Sequence, residues 1–137
     1  MTPLPVFLDT GYMLALLNTR DKYHQAAVAL AQTVPPPYIT SEAILLEIGN
    51  ALSRPPHRVL GVQALTELRE SDQYRIVPID SALISRGFDL FRTRPDKAWG
   101  LTDCISFVIM QELGLTHALT TDHHFEQAGF IKLLDTE

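Results

Sequence analysis

The segment Val6-Phe7-Leu8-Asp9-Thr10-Gly11 is a short apolar run that ends at a carboxylate. The helical pattern of residues 11–17 follows it directly, so the segment predicts a buried strand that leads into a helix. Along the rest of the chain, short β-prone runs alternate with longer helical segments, which is typical of parallel strands joined by right-handed crossovers. We therefore expect an α/β fold, namely a three-layer α/β/α sandwich with a parallel sheet of about four to five strands.

The remaining elements are predicted from apolar periodicity and from the residues that begin and end helices. Further strands are expected at residues 38–40, 74–79, 118–120 and 130–134. Further helices are expected at residues 22–34, 41–52, 59–70, 81–92, 101–113 and 122–128. Asp80 is a suitable N-cap for the fourth of these helices, and Gly114 is a suitable stop for the fifth. The fifth helix is apolar on nearly every side, which predicts that it is buried.

Length and composition limit the class of protein. A chain of 137 residues predicts a single domain over residues 1–137. Hydrophobic residues make up 46% and charged residues 20% of the chain, which excludes the disordered, collagen-like and coiled-coil classes. No apolar run approaches the ~20 residues of a membrane span, and residues 1–5 lack the pattern of a signal peptide. The single cysteine, Cys104, excludes an internal disulfide, so we expect a cytoplasmic protein without a membrane partner.

The chain is acidic, with 16 Asp and Glu residues against 11 Lys and Arg residues and a formal net charge of −5. This balance argues against a non-specific nucleic-acid binder, which is usually basic. It is compatible with a protein that gathers carboxylates around divalent ions, because bound ions reverse the local charge.

Four carboxylates lie where strands end or where helices begin. Asp9 ends the first strand, and Asp122 follows the fourth. Asp103 lies in the first turn of the buried helix, and Glu47 lies one turn into the helix after the second strand. Ligands of open α/β sheets bind beyond the carboxyl ends of the strands, so these side chains are expected to meet at one edge. Without them the chain carries 12 acids against 11 bases, and its acidity belongs largely to this candidate site.

Each of these acids also has a purely structural interpretation. Asp103 could favour a helix N-terminus, and Asp122 could cap a short helix. Glu47 could pack its stem while its head reaches water. Asp9 is harder to explain in this way, because an aspartate after a buried strand needs a partner. Carboxylates that converge need a cation to stay ionised together, and oxygen ligands favour hard ions such as Mg²⁺ or Mn²⁺.

Other polar residues support weaker interpretations. Two basic clusters could contact phosphates or remain solvated, and they consist of Arg54, His57 and Arg58, and of Arg92, Arg94 and Lys97. Trp99 could stack on a base, but we expect an aromatic plug that holds its loop. His123 and His124 lack the i, i+4 spacing of a zinc pair, so we expect His123 to contact phosphate and His124 to be a surface residue. Cys104 is expected to be a buried small hydrophobe rather than a nucleophile.

With these positions placed, the sequence resembles a PIN domain of the VapC-like type. The resemblance spans about residues 5–134 and is carried by four segments. They are Phe7-Leu8-Asp9-Thr10-Gly11, residues 40–47 from Thr40-Ser41 to Glu47, Leu101-Thr102-Asp103-Cys104, and Leu119-Thr120-Thr121-Asp122-His123-His124-Phe125. The family's acidic quartet maps onto Asp9, Glu47, Asp103 and Asp122, and its small hydroxyl residues map onto Thr10 and Thr102. Glu42 competes with Glu47, but Glu47 fits the family spacing better.

The resemblance implies a three-layer α/β/α fold and an Mg²⁺- or Mn²⁺-dependent ribonuclease, of which many are toxins neutralised by a small antitoxin. It implies metal-assisted phosphodiester hydrolysis, with Asp9, Asp103 and Asp122 as direct ligands and Glu47 binding a second ion or orienting water. An alternative is a non-catalytic PIN-like module that binds RNA or regulates a partner. A phosphatase with a strand-end aspartate as nucleophile ranks lower, because Gly11 stands where that class usually has a second aspartate.

A homodimer is implied by the resemblance and favoured by one helix. Residues 25–34 are rich in alanine and valine and are apolar on more than one face, so a second face could be buried against a partner subunit or an antitoxin. The alternative is that alanine is simply a strong helix former at the surface. The dimer would carry two clefts and an apolar groove that could receive an amphipathic antitoxin helix.

Overall fold

The structure, a computed structural model, describes residues 4–135. Within that range the strands are β1 Val6–Leu8, β2 Tyr38–Ser41, β3 Tyr74–Val77, β4 His117–Leu119 and β5 Ile131–Lys132. The helices are α1 Thr10–Leu17, α2 His24–Thr33, α3 Glu42–Ala51, α4 Arg58–Glu70, α5 Ser81–Thr93, α6 Leu101–Leu113 and α7 His124–Gln127. No helix in this part of the chain is long and apolar enough to cross a membrane.

The five strands form one parallel sheet in the order β3-β2-β1-β4-β5, which confirms the predicted α/β fold. Phe7 pairs with Ile39 of β2 on one side and with Ala118 of β4 on the other. The chain builds outward from β1 to β3 and then crosses back to β4, so the winding reverses between β1 and β4. Because such crossovers are right-handed, α1–α4 lie on one face and α5–α7 on the other. Such a reversal opens a crevice at the carboxyl ends of the two strands.

Most element boundaries differ by one or two residues from those predicted, and three of the differences have a clear physical reason. The strand at 74–79 ends at Val77, because Pro78 has no N–H to continue the ladder. The last strand is confined to Ile131–Lys132, since it pairs at the edge with β4, which is itself three residues long. The last helix begins at His124 rather than Asp122, because the Asp122 carboxylate accepts the His124 N–H and forms a turn first.

The helix α6 has the bounds predicted from sequence and is buried as expected. All seven residues from Cys104 to Met110 are buried. Phe107 lies edge-on to both Trp99 and Phe125, with ring centroids 5.1 Å and 5.0 Å away. The Trp99 indole N–H donates to Gln127 Oε1 at 3.0 Å. Trp99 therefore acts as the predicted aromatic plug and fixes the loop that leads into α6.

The packing of α5 on α6 depends on Gly87, because a Cβ there would lie 2.6 Å from Ile105 Cγ1. We expect Gly87→Ala to lower the free energy of unfolding by roughly 1–3 kcal/mol, the usual cost of overpacking. Gly49→Ala is the matched control, because its Cβ would meet Leu65 Cδ1 at an ordinary 3.5 Å. That control should be neutral or more stable by up to about 1 kcal/mol. Urea denaturation measures both, and equal stabilisation of the two variants would contradict the packing argument.

Candidate active site

Asp9 lies at the reversal point of the sheet, where β1 ends beside β4. Its backbone N–H donates to Leu119 O at 3.0 Å, and its side chain is buried. The hydroxyl of Thr120 donates to Asp9 Oδ2 at 2.7 Å and accepts the Asp122 N–H at 3.0 Å. Thr120 is fully buried and therefore links the first and last of the four predicted acids. Sequence reasoning missed Thr120, although a hydroxyl directly after a buried strand is an available signal.

Glu47 reaches the same edge from α3. The Thr10 hydroxyl donates to Glu47 Oε1 at 2.5 Å, which ties α3 to the residue after Asp9. The competing acid of this helix, Glu42, is exposed and its Oε1 accepts the Ile79 N–H at 2.7 Å. Of the two acids, Glu47 is thus the one that is half-buried beside Asp9.

Asp103 and Asp122 flank one imidazole. Asp103 Oδ2 accepts the Gly100 N–H at 3.0 Å and lies 3.3 Å from His124 Nδ1. Asp122 Oδ1 accepts the His124 N–H at 2.9 Å and lies 3.3 Å from the same ring nitrogen. The structural interpretations of both acids therefore hold, and both carboxylates also meet at one ring nitrogen. The prediction that His124 is a surface residue is wrong, because its ring is largely buried between these two carboxylates.

Each of the four acids interacts electrostatically with at least one of the others. The pKa of Asp9 is raised from 3.8 to about 7, mainly by burial. The hydrogen bond from Thr120 lowers this pKa, whereas the charges of Glu47 and Asp103 raise it. Burial also raises the pKa of Asp103, to which the charge of Asp122 adds. Each acid thus experiences at least one of the others, and the set is repulsive when ionised. A divalent cation fits this donor set, because carboxylate oxygens are hard ligands and positive charge relieves their repulsion.

The other predicted residues lie around this cleft. Thr102 and Glu47 line a groove of about 280 Å³ whose remaining walls are mainly apolar. His123 is exposed, and its Nδ1 lies 3.7 Å from Asp122 Oδ1. Cys104 is buried as predicted, and burial raises the pKa of its thiol, which is unfavourable for a nucleophile.

The basic cluster before α6 is partly engaged by neighbouring acids. Arg94 makes two hydrogen bonds of 3.0 Å to the carboxylate of Asp96, and Arg92 lies 3.4 Å from Asp89 Oδ1. The guanidinium of Arg94 also stacks over Trp99, 5.0 Å from the ring centroid. These pairs are exposed, and such contacts contribute little to stability, so the arginines stay available to a phosphate.

A parallel sheet with Asp9 buried at its reversal point, and with the charges of Glu47 and Asp103 acting on Asp9, agrees with the family resemblance of the sequence. The PIN domain family model matches residues 6–131, which is nearly the whole chain. The chain therefore belongs to the PIN domain family.

Among individual proteins, the chain is similar to the 23S rRNA-specific endonuclease VapC20 of Mycobacterium tuberculosis. The two are 28% identical over 129 residues, which cover 93% of this chain and 97% of VapC20. The crystal structure of VapC20, described as a Sarcin-Ricin loop cleaving toxin, matches with a TM-score of 0.88 and 26% identity over 95% of this chain and 99% of that one. FitAcB from Neisseria gonorrhoeae matches with a TM-score of 0.67, and at 16% identity over 93% of this chain and 94% of that one this likeness concerns the fold alone.

Proposed function

We propose that this PIN domain is a divalent-metal-dependent endoribonuclease and a VapC-like toxin that acts in the cytoplasm. The observation that carries the proposal is the burial of Asp9 beside Glu47 and Asp103 at the reversal point of the sheet. Folding gains nothing from such repulsion, so a bound cation and its chemistry are the physical reason for it. The likeness to VapC20 along nearly the full length of both chains supports RNA as the substrate.

In this proposal the four acids are both metal ligands and catalytic residues. Asp9, Asp103 and Asp122 bind Mg²⁺ or Mn²⁺ directly, while Glu47 binds a second ion or orients the attacking water. When bound, the metal activates water and stabilises the charge that develops on the scissile phosphate. Thr10 fixes the orientation of Glu47 through its hydrogen bond, and Thr102 lines the cleft beside it.

The apolar groove that Glu47 and Thr102 help to line indicates a protein partner. Its exposed or half-exposed apolar side chains include Leu46, Ile84 and Leu101. We propose that the amphipathic helix of a small antitoxin occupies this groove, where it would block RNA from the acids. The groove borders the site itself, so binding and inhibition would be one event.

The homodimer is part of the same proposal. Ala27 is the buried residue of α2, whereas Ala29 and Ala31 are exposed, so that helix leaves a surface of small side chains open to a partner. Sedimentation at micromolar protein concentration is expected to give twice the 15.3 kDa mass of one chain. A species of 15.3 kDa under these conditions would remove the dimer and leave the apolar groove to the antitoxin alone.

Cleavage of ribosomal RNA tests the activity. Because VapC20 is named for 23S rRNA, purified ribosomes and a synthetic Sarcin-Ricin loop are the first substrates to use. We expect discrete cleavage products with Mg²⁺ or Mn²⁺ and none with a chelator. A non-catalytic module would bind RNA without metal-dependent products, and that result across both substrates and total cellular RNA would reject the nuclease.

A further inference from the structure

Two imidazoles stand beside Asp122, and the mechanism above does not use them. His124 Nδ1 lies 3.3 Å and His123 Nδ1 3.7 Å from Asp122 Oδ1. The ligand atoms of these three consecutive residues all lie within 4.8 Å of one another. The centroids of the two rings are 4.5 Å apart, so one ion beside Asp122 can reach a nitrogen of each.

These separations match those within a metal coordination sphere. Bonds from zinc-like ions to imidazole nitrogen and carboxylate oxygen measure about 2.0–2.2 Å, and in a tetrahedral site these bonds place each pair of ligand atoms ~3.4 Å apart. The three ligand atoms need small rotations to reach this geometry. His123 can rotate freely because its side chain is 69% exposed. Asp122 is already oriented, since its Oδ1 is held by the His124 N–H.

The two imidazoles distinguish this position from the proposed all-oxygen centre, whose Asp103 and Asp122 each lie 3.3 Å from His124 Nδ1. Mg²⁺ takes oxygen ligands and retains water, whereas imidazole suits zinc and iron. Two imidazoles and one carboxylate with open positions are an established ligand set for Zn²⁺ and Fe²⁺. The i, i+4 rule for zinc histidines misses this arrangement, because here the two histidines are adjacent, with His123 in the turn before α7 and His124 as its first residue.

We propose that Asp122, His123 and His124 form a second metal site, selective for a borderline divalent transition-metal ion such as Zn²⁺. The site rests on the proposed function only in that it shares Asp122 with the nuclease centre. An ion held by the two imidazoles draws Asp122 away from that centre. Zn²⁺ therefore inhibits the Mg²⁺-dependent reaction, and His123 is a ligand of the inhibitory ion rather than a phosphate contact.

Calorimetric titration of the full-length protein with Zn²⁺, without RNA, tests the site. Removing a residue that only hydrogen-bonds to a metal ligand lowers metal affinity ~10–100-fold. Removing the ligand itself should cost no less, so His123→Ala is expected to weaken Zn²⁺ binding at least about tenfold. The affinity of His123→Ala for Mg²⁺ should equal that of the wild-type protein. His117→Ala is the matched control, because His117 is exposed at the opposite, amino-terminal end of β4. His124→Ala should weaken Zn²⁺ binding as well, and Co²⁺ absorption provides a spectroscopic signature of imidazole ligation that should weaken in both variants.

Unchanged Zn²⁺ affinity in His123→Ala would overturn the proposal, as would a parallel loss of Zn²⁺ and Mg²⁺ binding. In the cleavage assay, each protein's rate is compared with its own rate without Zn²⁺. The Zn²⁺ concentration that halves this rate should be about tenfold higher for His123→Ala than for the wild-type protein. A change in RNA affinity with unaltered Zn²⁺ binding would restore the phosphate-contact interpretation instead. Because binding is measured without RNA, a protein that holds Zn²⁺ through His123 but cleaves no RNA would reject the nuclease and keep this site.

Discussion

Asp9→Asn is expected to abolish metal-dependent RNA cleavage while the protein remains folded. The substitution keeps the shape of the side chain and an acceptor for the Thr120 hydroxyl, which lies 2.7 Å from Asp9 Oδ2. It removes one negative charge from the proposed metal centre, and in the proposed function that charge helps to hold the cation. Loss of one transition-state contact alone costs ~10²–10³-fold in rate, and loss of a metal ligand should cost at least as much. Gel analysis of rRNA products with saturating Mg²⁺ measures the effect.

Asp72→Asn provides the control for this experiment, because Asp72 is an exposed aspartate just before β3, at the opposite edge of the sheet. It should cleave at the wild-type rate. Circular dichroism of both variants should match the wild-type protein. Full activity of Asp9→Asn at saturating Mg²⁺ would refute the assignment of Asp9 as a ligand, whatever the role of the other acids.

The positions of the acids along the chain could be predicted because strand ends are visible in the sequence. Apolar runs such as residues 6–8 end abruptly at Asp9, and parallel strands place all such ends on one edge. The choice between Glu42 and Glu47 depended on the resemblance. The structure gives that choice a physical reason, because Glu42 bonds to the backbone N–H of Ile79 while Glu47 bonds to Thr10.

Three features could not be predicted because they depend on pairs of residues far apart in sequence. The strand order, with its reversal between β1 and β4, is set by which short strands pair, and short parallel strands carry little register information. Thr120 and Asp9 are separated by 111 positions, so their hydrogen bond exists only once β1 lies beside β4. The same holds for His124, whose ring meets Asp103 from a different element.

The stability of the metal-free protein is expected to fall as pH rises from 5 to 8. Burial raises the pKa of Asp9 from 3.8 to about 7 in the folded chain, so the folded state holds a proton that the unfolded state releases. A raised folded-state pKa stabilises the fold at low pH, and this contribution is lost as pH rises through about 7. Integration over this interval gives a loss of roughly 2–3 kcal/mol from Asp9. The raised pKa of Asp103 acts in the same direction.

Urea denaturation of the wild-type protein and Asp9→Asn in a chelator, at pH 5 and pH 8, isolates this contribution. Asparagine does not titrate, so the variant should lose less stability across the interval and should be the more stable protein at pH 8. Equal pH dependence of the two proteins would contradict the burial of an ionising Asp9. Addition of Mg²⁺ should reduce the difference at pH 8, because the cation binds the ionised form and stabilises the folded state by mass action. The same negative charge that destabilises the metal-free fold at neutral pH is thus the charge that the proposed reaction needs, so Asp9→Asn should gain stability and lose activity together.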